Sequence, residues 1–212
     1  NPVEPASEEA VAELYVQTGV RWVSASAYMG LTPAIVRYRY AGIRRGPDGG
    51  VICPNRVLAK VSRPEVAEHF MRPAPGELLQ ALVKSGKLSP EEADLAVIWP
   101  MADAITAEAD SGGHTERRPL PVLVPMMRAL RDRVSASLDY AARGAQIFIG
   151  AAGGVASPRS VLAAFALGAD YVLTGSVNQS AREAGTSAEV KELLAEAGMA
   201  DVAMGPAPDM FE

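Results

Sequence analysis

The chain reads as an α/β protein, a parallel sheet with helices outside it, and specifically as part of a (β/α)8 TIM barrel with a helical insertion. Three observations predict this. Short β-like runs alternate with helical segments almost from end to end, which requires parallel strands joined by helical crossovers. Three strands in succession run into glycine-bearing loops: Glu108-Ala109-Asp110-Ser111-Gly112-Gly113-His114, Ile149-Gly150-Ala151-Ala152-Gly153-Gly154 and Leu173-Thr174-Gly175-Ser176. Six strands can be counted along residues 1–212, so an eight-stranded barrel places two more before Asn1. The start without methionine and the end at Phe211-Glu212 agree with an interior segment of a longer polypeptide, one barrel domain lacking its first strands.

The elements follow in order. Ser7 is the expected cap of a helix through Gln17, with Glu8 and Glu9 in its first turn and Gly19 at its stop. Val20 to Ala27 is a strand. Thr32 caps the next helix and Pro33 opens it, through about Ala41. Gly46-Pro47-Asp48-Gly49-Gly50 is a turn, Arg56 to Val61 a second strand, and Arg63-Pro64-Glu65 a helix start. Residues 70–100 break the rhythm. Pro73, Pro75 and Pro100 bracket helical pieces near 76–85 and 89–97, the second opened by a Ser89/Glu92 capping box. This insertion is a lid, a partner surface or a packing element, and the sequence leaves all three open. Strands near 103–108, 146–151, 170–174 and 201–204 then alternate with helices near 119–143, 157–167 and 187–197.

Composition narrows the function classes. Apolar residues make up 49% and charged residues 21%, an ordinary globular balance. The net charge of −5 argues against nucleic acid, since Arg44-Arg45 and Arg117-Arg118 are too short to reverse it. Cys53 is the only cysteine, so no internal disulfide can form. No apolar run approaches a membrane span, and the start lacks the basic and apolar regions of a signal peptide. These features fit a reducing, cytoplasmic setting.

The strand-end loops carry the candidate chemistry. Gly153 and Gly154 join a strand to a helix start, where backbone N–H groups attract anions, and Thr174-Gly175-Ser176 repeats the arrangement with hydroxyls added. Either loop alone is equally a simple tight turn, whereas two in consecutive units favour a bound phosphate. His114, directly after Gly112-Gly113 at a strand end, is placed to move a proton, or else only hydrogen-bonds the loop backbone. Lys60, at the end of its strand, offers positive charge to a ring or a thioester; the alternative is a solvated lysine. Glu108 and Asp110 either hydrogen-bond a cofactor or cap their loop. His69 reads as structural or exposed. Two isolated histidines and one cysteine make no zinc-like cluster, so no metal is expected. There is no Gly-x-Gly-x-x-Gly fingerprint, Walker loop or Gly-x-Ser-x-Gly elbow.

Glu108-Ala109-Asp110-Ser111-Gly112-Gly113-His114-Thr115 resembles the glycine-glycine-histidine loop of nitronate monooxygenase-like FMN barrels. More closely, the chain resembles the trans-acting enoyl reductases of polyketide and polyunsaturated fatty acid synthases. The strings that carry this are residues 24–39 (Ser24 to Arg39), Pro100-Met101-Ala102-Asp103, Thr174 to Gln179, Glu183 to Ser187 and Pro206 to Glu212. The resemblance implies an FMN-binding barrel that reduces an α,β-unsaturated thioester on an acyl carrier protein, with NADPH as electron source. It implies that His114 contacts the thioester or assists protonation. Gly153, Gly154, Thr174, Gly175 and Ser176 would hold the FMN phosphate, and Gly112 and Gly113 make room for the flavin. Lys60 and Glu108 would lie near the ring or ribityl chain, with Lys60 as a second catalytic candidate. Synthase components are implied partners, with Arg37, Arg39, Arg44 and Arg45 as a candidate surface for an acidic carrier, and a homo-oligomer is left open. The alternatives are a nitronate monooxygenase, a non-catalytic scaffold or docking component, and a barrel enzyme acting on a sugar phosphate.

Overall fold

In the computed structural model, which describes residues 4–109, 115, 117–198, 200, 201 and 203, five strands pair side by side in chain order. They are β1 (Trp22–Ser26), β4 (Arg56–Val61), β5 (Ala104–Glu108), β6 (Phe148–Ala152) and β7 (Tyr171–Leu173), and every pairing is parallel. Among the described residues the order never reverses, so there is no switch point of the doubly wound kind there. This is the singly wound α/β arrangement of a barrel, here an open arc among the described residues. Residues 201 and 203 are the only described part of the expected sixth strand, and neither is in a strand.

The sheet has two different faces, because successive side chains alternate. Val57, Ala59, Val61, Ile105, Ala107, Ile149 and Ala151 are buried on the outer face. There α3 (Pro64–Met71), α6 (Leu120–Ser137) and α7 (Pro158–Ala166) pack against the strands. The inner face carries Ser26, Lys60, Thr106, Gly150 and Tyr171 on one rung, with Glu108 and Ala152 on the next towards the C-terminal end.

Local capping agrees with the sequence in most places. Thr32 accepts from Ile35 N at the start of α2 (Pro33–Tyr40), and Ser89 and Glu92 form a complete capping box on α5 (Pro90–Ala96). At α1 (Pro5–Thr18) the helix begins before Ser7, with Pro5 in its first turn, and the Ser7 hydroxyl donates to Glu4 rather than capping. The helix expected to reach 143 ends at Ser137. The chain turns there to bury Tyr140, whose hydroxyl donates to Met71 O at 2.8 Å. The turn at 46–50 is flanked by two short strands, β2 (Arg44–Arg45) and β3 (Val51–Ile52), forming an antiparallel hairpin.

The insertion is a packing element. α4 (Gly76–Lys84) and α5 pack on α2, burying Leu79, Leu82, Leu88 and Leu95. They lie in the connection returning from α3 to the start of β5, so they gather at the N-terminal end of the sheet. A lid would have to cover the opposite end.

The starts of the strands are stitched by one buried cluster. Arg39 is 0% exposed and donates to Asp103 Oδ2 at 2.5 Å, Asn55 O at 2.6 Å and Pro100 O at 3.1 Å. Asp103 also accepts from Val57 N at 3.1 Å and from Arg56 at 3.3 Å. Asn55 donates to Tyr38 O and Ala41 O, satisfying the last carbonyls of α2. Cutting the Arg39–Asp103 pair leaves a charge buried without compensation. Asp103→Ala or Arg39→Met should therefore lower the unfolding free energy by about 3–5 kcal/mol, read by urea denaturation; a loss under about 1 kcal/mol would contradict the assignment.

Cys53 lies beside this cluster and donates to Arg39 O at 3.3 Å. Burial pushes its thiol from 9.0 up to about 11. The unfolded chain's thiol ionises first, so its contribution is complete below about pH 9 and is lost as pH rises through about 11. Urea midpoints measured across that window should fall with pH, and Cys53→Ala should flatten the slope; an unchanged slope would refute the assignment.

Candidate functional site

Parallel strands deliver their C-terminal ends and following loops to one rim, and seven of the sequence-derived candidates lie along it: Lys60, Glu108, Gly153, Gly154, Thr174, Gly175 and Ser176. Lys60 at the end of β4 and Glu108 at the end of β5 form an ion pair, Nζ to Oε1 at 2.9 Å. Glu108 is buried and Lys60 half-buried, so the pair sits on the inner wall rather than in bulk solvent. Its register explains the contact. Lys60 stands opposite Thr106, and Glu108 lies two residues further along the same face. Glu108 is the acceptor for Lys60 among the described residues, so the lysine brings orientation more than free charge.

Gly153 and Gly154 follow β6 directly, with φ of 92° and 68°. These left-handed values favour glycine. At Gly153 a side-chain carbon would also come within 3.0 Å of the Ala109 backbone and side chain. Ala109 N donates to Ala152 O at 2.8 Å, which locks the ends of β5 and β6 together. Among the described residues, the N–H groups of Gly154 and Val155 find no acceptor.

The loop after β7 is built differently. Gly175 has a negative φ, and a side-chain carbon there would meet nothing within 4 Å. Asn178 braces the turn by donating to Thr174 O at 3.1 Å and accepting from Thr174 Oγ1 at 3.0 Å. Ser176 and Val177 open the short helix α8 (Ser176–Gln179), and among the described residues their N–H groups have no acceptor. Two adjacent strand ends thus present unpaired backbone donors, which is the requirement for holding a phosphate. A phosphate-bearing cofactor fits the residues present.

Gly112, Gly113 and His114 lie outside the described residues. His69 is exposed on α3, away from the strand ends. The basic surface changes most. Arg39 is fully buried and paired with Asp103, and Arg37 pairs with Glu13 at 3.0 Å. Arg44 and Arg45 are exposed, but on the hairpin preceding β4, at the opposite end of the sheet. The sequence reading missed the Thr106–Tyr171 contact, 2.7 Å between hydroxyls, because it joins strands 65 residues apart. The usable signal was a tyrosine in the unit after a strand glycine, Gly150.

A cavity of about 290 Å³ lies elsewhere, between α1, β1 and α2. Its carboxylate, Glu8, accepts from Tyr28 at 2.5 Å and from Thr32 at 2.6 Å, both on one oxygen. Among the described residues, no helix is long and apolar enough to cross a membrane.

No family model matches the chain. It is 48% identical over 206 residues to the polyketide biosynthesis protein PksE of Bacillus subtilis, covering 97% of this chain and 26% of that protein. It is 45% identical over 212 residues to a component of the polyunsaturated fatty acid synthase of Thraustochytrium sp., covering 100% of this chain and 14% of that component. Among solved structures, the enoyl reductase domain of MlnA, from the macrolactin biosynthesis cluster of Bacillus amyloliquefaciens, matches with a TM-score of 0.90 at 38% identity. That match covers 98% of this chain and 46% of the other. The chain therefore spans about a quarter or less of these curated relatives and just under half of the solved domain.

Gly153 supplies the sharpest local test. Gly153→Ala combines a left-handed φ with overlap on the Ala109 backbone, and should cost about 1–3 kcal/mol of stability. Thermal unfolding of Gly153→Ala beside Gly175→Ala, where space is open, should show the loss only at Gly153; equal losses would undo the distinction.

Proposed function

We propose that the chain is part of an enoyl reductase of the polyketide and polyunsaturated fatty acid synthase kind, and that it forms part of the active site of a flavin-dependent enoyl-thioester reductase. The observation that carries this is the pairing of two loops of backbone donors, after β6 and β7, with the Lys60–Glu108 wall on the same rim. A phosphate tail and a polar ring edge need those two surfaces side by side. FMN is the group of that shape the resemblance implies, and when reduced by NADPH it supplies hydride to the β-carbon of an enoyl thioester.

The chain's own residues would divide the work. Gly154, Val155, Ser176 and Val177 donate backbone N–H groups to the phosphate, with the Thr174 and Ser176 hydroxyls beside them. Glu108, held by Lys60, accepts from the ribityl chain or ring. Lys60, a nearly neutralised partner, positions Glu108 more than it polarises a thioester. His114 is the proposed contact to the thioester and the proton carrier for the α-carbon.

The acyl group would arrive on an acyl carrier protein. Its pantetheine arm must enter at the rim formed by the strand C-termini, so the carrier would approach that end. The Arg44-Arg45 hairpin faces the other way and Arg39 is sealed in the core, which removes them from the expected docking surface.

Absorbance spectra of the full-length protein test the reading. Oxidised-flavin bands should bleach on anaerobic NADPH addition and return with a crotonyl thioester. His114→Ala should keep the bands and slow their return by about 100-fold or more. No flavin after reconstitution would overturn the redox reading, and an unchanged rate in His114→Ala would remove its catalytic role.

A further inference from the structure

The rung Ser26, Lys60, Thr106, Gly150, Tyr171 crosses the inner face just below the Lys60–Glu108 pair. A side-chain carbon on Gly150 would stand 2.2 Å from Cε2 and Cζ of Tyr171. The tyrosine ring therefore lies over Gly150 and spans the whole width of β6. Its hydroxyl reaches Thr106 Oγ1 on β5 at 2.7 Å, and Thr106 is fully buried beneath it. Glycine at 150 is there to admit the ring.

This ring divides two chemically different regions of the same face. Towards the C-terminal end stand Glu108, which Lys60 reaches from the ring's own rung, and the donor loops. Towards the other end the next rung holds Ser24, Leu58, Ala104 and Phe148, apolar except for the serine at its edge, with Phe148 41% exposed. Burial pushes the Tyr171 phenol up to about 12, so at neutral pH it is an uncharged group with its polar atom tied to Thr106. With that atom tied, what the side chain offers to the inner face is the apolar carbon of its ring.

We infer that Tyr171 is a specificity-determining residue: its ring, laid over Gly150 onto Thr106, is the floor that limits how deep an acyl chain descends towards the apolar rung of Leu58, Ala104 and Phe148. This rests on the enoyl-thioester reading of the site above it. A chain entering past Lys60 meets the ring at that rung. Removing the ring joins the mouth to an apolar surface and admits further methylenes.

The test uses the full-length flavin-loaded protein and equilibrium binding of two unreactive saturated thioesters, butyryl- and dodecanoyl-pantetheine. In Tyr171→Ala the dodecanoyl-to-butyryl affinity ratio should rise about tenfold, as expected for burying two further methylenes. Tyr171→Phe keeps the ring and should keep the wild-type ratio. Tyr171→Leu, which preserves apolar bulk, serves if the alanine variant fails to fold, and should raise the ratio by a smaller factor. A ratio unmoved in a folded, flavin-binding Tyr171→Ala or Tyr171→Leu overturns the floor. In that case wild-type bleaching by NADPH and recovery with crotonyl thioester would leave the reductase reading intact. A wild-type protein that binds neither thioester overturns both.

Discussion

The buried Arg39–Asp103 pair is the constraint on which the placement of the site depends. Its value is specificity rather than net stability. Taking both charges out of water costs about as much as their attraction returns. What the pair fixes is register. Asp103 N donates to Val57 O while its carboxylate accepts from Val57 N, and its carbonyl accepts from Phe148 N. Three strands are thereby aligned at their starts. Strand side chains alternate, so a slip of one residue would turn Lys60, Thr106 and Glu108 outward and bring Ala59, Ile105 and Ala107 in. A charge pair at the N-terminal end of the sheet thus decides what lines the face at the other end.

Much of this fold was legible in the sequence because its signals are local. Thr32-Pro33 and Ser89-Pro90 with Glu92 mark helix starts through bonds closed within three residues, and both starts are found where expected. The strand Arg56–Val61 was legible by its apolar run. Less legible were features set by tertiary burial. The helix α6 ends early because Tyr140 is drawn into the core against Met71, a partner 69 residues away. Arg39 looked like a surface arginine beside Arg37, and only the fold reveals that Asp103, 64 residues on, waits for it inside.

The glycines make the same point at the candidate site. As a sequence pattern, Gly150, Gly153 and Gly175 are one signal, a glycine near a strand end. In space they answer three different demands. Gly150 makes way for a tyrosine ring, Gly153 for the backbone of the neighbouring strand, and Gly175 opens onto free space. Only the last of these is what a ligand requires directly. At the loop after β6 a phosphate would therefore be met by Gly154 and Val155 rather than by Gly153, since their N–H groups are unclaimed among the described residues.

The electrostatics of the rim follow from this division of labour. The chain carries a net charge of −5, and Lys60 on the inner wall is paired with Glu108. An anion held at the rim would draw its stabilisation from fixed backbone dipoles after β6 and β7 rather than from mobile cationic side chains. Such donors are positioned by the sheet itself, so binding costs little side-chain ordering. The same logic gives Lys60 its place. Were its charge free, it would compete for the anion; tied to Glu108, it holds that buried carboxylate in one orientation on the inner wall. The polar wall above the Tyr171 ring and the apolar rung beneath it are then consequences of one register, held from the far end of the sheet.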